Sequence, residues 1–147
     1  DKAAVVLREF REAEVASRRL KREYADAVNV RKLLHFLESE LAYRMLAAQR
    51  EGKLYREQPF VMGVSAAKLG GDFPDTESVL IQGIIDVFFE EGDGIVLLDY
   101  KTDAVSTMEE LRNRYETQLD YYSEALTKLR QRPVTEKLLY SFHLERY

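Results

Sequence analysis

Apolar residues recur along this chain with a period that changes twice. Over residues 1–27, Val5, Val6, Phe10, Val15 and Leu20 form a loose stripe among many charges, which predicts a helix with one weakly apolar face. A second helix is expected to start near Asn29, a residue type that caps helix N-termini with its side-chain oxygen. From there Leu33, Leu34, Leu37, Leu41, Met45 and Leu46 recur at three- and four-residue spacing, and Gly52 supplies a stop. Past Gly52 the helical period is lost. Leu54 to Val64 reads as a strand, with Pro59 favouring an edge or a bend because it has no N–H to give to a ladder. Residues 65–78, with Gly70, Gly71, Pro74 and Asp75, read as a loop with room for one short helical turn.

Two runs rich in β-branched and aromatic residues follow, Val79 to Phe89 and Ile95 to Lys101. Between them Glu91-Gly92-Asp93-Gly94 is a hairpin signal, read as a four-residue loop. Ser106-Thr107-Met108-Glu109 has the form of a capping box with Ser106 at the N-cap. The helix it opens carries Met108, Leu111, Tyr115, Leu119, Tyr122, Leu126 and Leu129 on one face, and Pro133 ends it. Lys137 to Leu144 is the last predicted strand. The order helix, helix, strand, hairpin, helix, strand predicts an α/β domain.

Within the hairpin, Gly83-Ile84-Ile85-Asp86 and Leu97-Leu98-Asp99-Tyr100-Lys101 place ionisable groups in otherwise apolar strands. Charges there are costly unless paired or bound to a metal. With Glu90 opposite Ile95, the register sets Asp86 directly across from Asp99, Cβ atoms roughly 5 Å apart. Alternation then puts Lys101 on the face of Asp99. A divalent cation between the carboxylates would turn repulsion into a site. The same spacing also suits two rim carboxylates on a solvated hairpin face, with Lys101 as an ion-pair partner.

Composition narrows the chemistry. The 147 residues allow one compact domain, and 46% hydrophobic residues are enough to fold it. No apolar run approaches the roughly 20 residues of a membrane helix, so no membrane role is expected. With no Cys, thiolate zinc sites, disulfides and iron–sulfur clusters are excluded, and any metal must be a hard, oxygen-binding ion. Residues 1–57 hold 13 Lys/Arg against 10 Asp/Glu, and residues 58–147 hold 9 against 16. A basic front and an acidic rear suit a DNA-binding flank beside a carboxylate metal site, but on charge alone the preferred reading is two ordinary solvated surfaces. The basic cluster Arg18, Arg19, Lys21 and Arg22 reads chiefly as a charged helix face. The chain begins with Asp1 and carries no basic-then-apolar leader; it is read as a piece of a longer polypeptide.

Three segments together resemble the PD-(D/E)XK nuclease superfamily: Gly83-Ile84-Ile85-Asp86, Asp99-Tyr100-Lys101-Thr102-Asp103 and Gln118-Leu119-Asp120-Tyr121-Tyr122. More narrowly they resemble the C-terminal nuclease domain of AddA/RecB-type helicase-nucleases, and Tyr55-Arg56-Glu57-Gln58-Pro59-Phe60 is similar to the AddA branch. The resemblance is strong over residues 30–147 and thin over 1–29. It implies a restriction-endonuclease-like mixed sheet flanked by helices, with a weakly assigned N-terminal helix over 1–28 and the nuclease domain over 29–147. By resemblance, Asp86 and Asp99 are the metal-binding carboxylates and Lys101 the catalytic lysine. The backbone carbonyl of Tyr100 is a further metal ligand. Gln118 and Tyr122 support the site and contact DNA, and Glu57 is an acidic residue on the preceding strand.

Each supporting residue has an ordinary alternative. Tyr122 fits the apolar stripe, Gln118 suits a helix-to-strand hydrogen bond, and Glu57 suits pairing with Arg56 or Lys53. The family's Gly-Thr-x-x-His motif does not occur here; His35 lacks its context, and the missing His is expected upstream of Asp1.

The implied function is Mg2+-dependent hydrolysis of DNA phosphodiesters, exonuclease in type, with Mn2+ as a substitute. The chain would be one module of an ATP-dependent helicase-nuclease in double-strand break repair and recombination. The implied partners are DNA, an AddB-type second subunit and the remainder of that chain, in a bacterial cytoplasm. No Gly-x-x-x-x-Gly-Lys-Ser/Thr loop occurs, so no ATP site is expected in these residues. The alternative is a catalytically silent nuclease-like domain that binds a partner subunit or DNA. Stand-alone nucleases of the Cas4 type are disfavoured, because those use cysteines that this chain lacks.

Overall fold

The computed structural model describes residues 2–70 and 76–147. Helices α1 (Lys2–Ala16), α2 (Arg22–Ala27), α3 (Val30–Leu37) and α4 (Glu40–Arg50) precede strand β1 (Leu54–Ser65). A 3-10 turn (Ala66–Leu69) leads towards β2 (Ser78–Glu91), β3 (Gly94–Lys101), helix α5 (Met108–Arg130) and β4 (Val134–Ser141). The strands lie in the order β1-β2-β3-β4. β1/β2 and β2/β3 are antiparallel, and β3/β4 is parallel, with α5 as the crossover that a parallel pair requires. Gly71, Pro74 and Asp75 of the expected loop lie outside the described residues.

Helix α5 covers one face of the sheet and packs on Phe60, Met62, Val64, Ile85, Phe88, Ile95 and Leu97 through Leu111, Leu119 and Leu126. Helices α3 and α4 cover the other face, where Phe36, Leu41 and Met45 meet Val87, Phe89, Val96, Leu98 and Tyr140. Strand β3 is thus buried on both sides, which is why Ile95-Val96-Leu97-Leu98 reads as an unbroken apolar run. Each of these large side chains contributes roughly 1.5–3 kcal/mol by leaving water.

Several boundaries differ from the sequence reading. The helix expected over 1–27 divides, because Arg18 takes a left-handed φ of 61° between α1 and α2. No residue of α1 is buried, and Val6 and Phe10 are each 62% exposed, so the loose stripe does not become core. Two residues of the basic cluster are paired locally: Arg19 with Glu14 at 2.6 Å and Arg22 with Glu12 at 2.9 Å. Asn29 does cap α3, accepting from the Lys32 N–H, but the helix stops at Leu37 and Ser39 caps a separate α4. α5 is capped by Thr107, which accepts from the Glu110 N–H, while Glu110 accepts from the Ser106 N–H. The N-cap therefore sits one residue later than Ser106, and Glu110 reaches back past it to the residue before the cap.

The hairpin loop is also shorter than expected. Glu91 pairs with Gly94, leaving Gly92-Asp93 as the turn, with Gly92 at φ +57°. Gly94 opens the strand, and it is a glycine there because a Cβ would collide with Thr135 of β4. Its glycine serves strand packing, where the sequence suggested a loop.

The far end of the hairpin is tied to the end of α5. Tyr55 stacks on Phe88 with ring centroids 4.7 Å apart, and Arg130 lies 4.4 Å over Tyr55. Arg130 and Arg132 donate to the two oxygens of Glu90 at 2.6 and 2.8 Å. The hydrogen bond from Arg130 holds the Glu90 carboxyl below the usual carboxylate range. A depressed folded-state pKa stabilises the fold above the unfolded value, about pH 4.3, and the contribution is lost as pH falls through the folded value. Glu90→Gln is therefore expected to lower stability at pH 7 by about 1–2 kcal/mol. Denaturant titrations should show the gap between the two proteins narrowing as pH falls below about 4.3; a gap that stays constant into acid would reject the ion pair as its source.

Candidate functional site

The expected hairpin register is present. Val87↔Leu98, Phe88↔Leu97, Phe89↔Val96 and Glu90↔Ile95 are paired, which carries Asp86 opposite Asp99. The ladder itself stops at Leu98. In its place Asp86 Oδ2 accepts the Tyr100 N–H at 2.9 Å, so a side chain takes over a backbone acceptor's role. The Asp86 charge adds to the upward push on the Asp99 carboxyl.

The β1 side of Asp86 is opened in the same way. Arg56↔Val87 and Gln58↔Ile85 are paired, but the intervening Glu57 and Asp86 are not. Glu57 has a left-handed φ of 51°. Around this point the pleat changes phase. Phe88 faces α5, with Val87 and Phe89 facing α3 and α4, yet odd-numbered Ile85 also faces α5. β1 slips in step: Tyr55 and then Phe60, Met62 and Val64 all pack on the α5 side. Matched slips keep the inter-strand register while freeing one position on each strand. Asp86 occupies the freed position on the central strand, and Glu57, exposed, lies in register opposite it.

Asp99 is 3% exposed. Burial pushes its carboxyl above the usual range; Lys101 opposes the shift and Asp86 adds to it. Lys101 Nζ lies 2.6 Å from Asp99 Oδ2, although that oxygen accepts no hydrogen bond of good geometry. The same ammonium donates to Gln118 Oε1 at 3.0 Å and sits 3.8 Å over the ring of Tyr115. Burial pushes the Tyr100 phenol up to about 12, on the α3/α4 face.

α5 supplies the other wall. Tyr115, Gln118 and Tyr122 follow at spacings of three and four, so they share a face. Tyr122 is half-buried, edge-on to Phe60 at 5.3 Å, and its hydroxyl is pushed up by burial and then by the charges of Asp99 and Asp86. Gly83 makes room for this pair: a Cβ there would lie 2.9 Å from Phe60 Cε1 and 3.5 Å from Tyr122 Cε1.

Of the residues singled out in sequence, Asp99, Lys101 and Gln118 are joined by contacts, Asp86 stands in register opposite Asp99, and Tyr122 is near enough for both carboxylates to raise its hydroxyl. Tyr122 combines packing with proximity to the carboxylates. Glu57 reaches the neighbouring register position only; among the described residues no group of three or more His, Cys, Asp or Glu side chains is poised for a metal. His35 is elsewhere, with Nε2 2.9 Å from the Glu145 carbonyl oxygen. Two participants escape the sequence reading. In sequence Tyr115 stands on the apolar stripe and Asp103 just past the predicted strand, yet the Tyr115 hydroxyl donates to Asp103 Oδ2 at 2.8 Å. That bond holds the Asp103 carboxyl low and the Tyr115 phenol high.

The donor set suits a hard divalent ion. Two adjoining carboxylates, one of them buried at a cost and with an oxygen short of hydrogen bonds, are what such an ion stabilises.

The architecture, a mixed four-stranded sheet between helices with its ionisable residues on the central strands, is restriction-endonuclease-like. Residues 2–145 match the family model of the PD-(D/E)XK nuclease superfamily, and the chain belongs to that superfamily. It is similar to an ATP-dependent helicase/nuclease polypeptide, the A-type component, of Lachnoclostridium phytofermentans, 39% identical over 180 residues that cover 98% of this chain and 13% of the relative. The protein of the same name from Clostridium botulinum (strain Loch Maree / Type A3) is 43% identical over 129 residues, covering 85% of this chain and 10% of the relative. That from Clostridium perfringens (strain SM101 / Type A) is 44% identical over 134 residues, covering 86% and 11%. The chain spans only about a tenth of the length of these relatives. Among the described residues, no helix is long and apolar enough to cross a membrane.

Proposed function

We propose that this chain is the nuclease module of an ATP-dependent helicase-nuclease, and that it hydrolyses DNA phosphodiesters with Mg2+ in double-strand break repair. The observation that carries the reading is Lys101 held between Asp99 and Gln118, with Asp86 in register opposite Asp99. Asp86, Asp99 and the Tyr100 carbonyl would hold the metal, with Mn2+ an acceptable substitute. When bound, the ion supplies Lewis acidity toward a phosphate oxygen, charge neutralisation and a more acidic water.

This chain's own residues supply the rest. Lys101 brings a positive charge to the scissile phosphate, whose charge rises as the bond breaks. Gln118 holds that ammonium in place. Tyr122, between Phe60 and the carboxylates, sets the depth of the site and contacts DNA. Glu57 meets the site from β1. Residues 29–147 form the nuclease domain, and the preceding helices form its flank. Its partners are DNA, an AddB-type protein and the remainder of a longer helicase-nuclease chain, in a bacterial cytoplasm. Exonucleolytic action on ends delivered by a helicase fits a module that lacks a phosphate loop of its own.

The test is end-labelled linear duplex and single-stranded DNA incubated with the chain and graded Mg2+. Cleavage that requires the metal and stops with EDTA is expected, alongside calorimetric Mg2+ binding at about one or two ions per chain. DNA binding without cleavage and without Mg2+ uptake would instead assign a silent nuclease-like domain.

A further inference from the structure

The Lys101 ammonium has three N–H donors and no acceptor capacity. Three groups surround it: Asp99 Oδ2 at 2.6 Å, Gln118 Oε1 at 3.0 Å and the Tyr115 ring face at 3.8 Å from its centroid. Nothing in the nuclease reading uses the third. A cation over a tyrosine face is attracted by the ring quadrupole, most strongly where water is partly excluded, and the Lys101 side chain is only 14% exposed. The ring is itself held at its far end. Its hydroxyl donates to Asp103 Oδ2, the same oxygen that takes Arg114 Nη1 at 3.0 Å. Arg114 is braced in turn by Glu110, 3.1 Å away in the first turn of α5. A chain of contacts thus runs from the α5 cap to the ammonium.

We infer that Tyr115 is a positioning residue for Lys101: its ring, pinned through the hydroxyl by Asp103, fixes the ammonium over Asp99 and Gln118. The inference rests on the nuclease reading for its catalytic consequence, and on the geometry alone for the clamp. A tyrosine that merely filled space would be replaceable by any apolar residue of its size. A clamp has a different pattern. Tyr115→Phe keeps the face and loses the pin, whereas Tyr115→Leu loses the face.

The clamp can be read without DNA. In the chain labelled with 13C at the lysine ε-carbon, the Lys101 ε-protons should be shifted upfield by the ring in the wild type and, to a smaller extent, in Tyr115→Phe, which keeps the face without the pin. In Tyr115→Leu they should return to the position of the other lysines. Asp103→Ala, which removes no core residue, should move them part of the way and keeps the test open should Tyr115→Leu fold poorly. In cleavage assays Tyr115→Phe should stay within about threefold of wild-type kcat, and Tyr115→Leu should lose about tenfold with KM nearly unchanged. An unshifted Lys101 resonance in the wild type, or Tyr115→Leu cleaving as well as Tyr115→Phe, would overturn the inference. An intact upfield resonance in a wild type that cleaves no DNA would uphold the clamp and sink the nuclease reading instead.

Discussion

Asp99→Asn is expected to abolish Mg2+-dependent cleavage, a loss of about 10³-fold or more, while raising the melting temperature of the metal-free chain. The rate loss follows if Asp99 supplies an anionic oxygen to the ion, because an amide oxygen is a much weaker ligand for a hard cation. The stability gain follows from burial. Asp99 titrates above the usual carboxylate range, so the folded state disfavours its charge even with Lys101 beside it. The neutral isostere removes the desolvation and the repulsion from Asp86, and its Oδ1 remains an acceptor for Lys101. The sign with pH is fixed: a raised folded-state pKa destabilises the fold above that pKa and ceases to matter as pH falls below the unfolded value. The variant should therefore melt higher than wild type at pH 8, by an amount on the order of 1 kcal/mol, and equal to it near pH 3. Adding Mg2+ should reverse the order, stabilising wild type alone. A variant less stable than wild type in EDTA at pH 8 would show that the buried charge is compensated by its surroundings and owes nothing to a metal.

Asp86 has a second duty that the sequence did not suggest. Because its Oδ2 satisfies the Tyr100 N–H where the ladder ends, removing that oxygen leaves a partly buried donor unpaired. The two aspartates are thus not equivalent: Asp99 is held at a cost to the fold, and Asp86 repairs a gap in the sheet.

The register that joins these aspartates was legible because it needs little information. A Gly-rich turn and two apolar runs fix one pairing number, and a one-residue slip would carry Phe89 and Val96 from the face packed by α3 and α4 to the one packed by α5. The face of α5 was legible for the same reason, since Leu111, Leu119 and Leu126 are buried at helical spacing. What stayed hidden depends on backbone choices that several residue types tolerate. The left-handed turn at Glu57, with its matched slip of pleat at Asp86, has no glycine to announce it. The break between α3 and α4 at Glu38 and Ser39 interrupts an apolar stripe that runs on in register. Tyr115 was hidden by its double nature: at helical spacing a tyrosine reads as stripe, and only the fold reveals that its face meets an ammonium. The superfamily was legible because the segments around Asp86, Asp99 and Gln118 stand in order along the chain, and the match over residues 2–145 shows the superfamily.

Lys101→Met separates two things that a nuclease reading usually merges, metal binding and rate. The ammonium 2.6 Å from Asp99 Oδ2 competes with a divalent ion for that oxygen and repels it. Without the ammonium, Asp86 and Asp99 are left as a like-charged pair that either an ion or a proton must relieve. Mg2+ should therefore bind several-fold more tightly to the variant at pH 8, as read by calorimetry or by competition with Mn2+ in electron paramagnetic resonance. Cleavage should nevertheless fall by about 10²–10³-fold, the usual loss when one preorganised charge is removed from a transition state. The metal-free variant should be less stable than wild type by about 3 kcal/mol at pH 8, since one partner of a buried pair has been taken away. Acidification should restore much of that loss by protonating Asp99. Weaker Mg2+ binding in Lys101→Met would mean that the lysine helps to assemble the metal site, and its place as a separate cation directed at the phosphate would have to be given up.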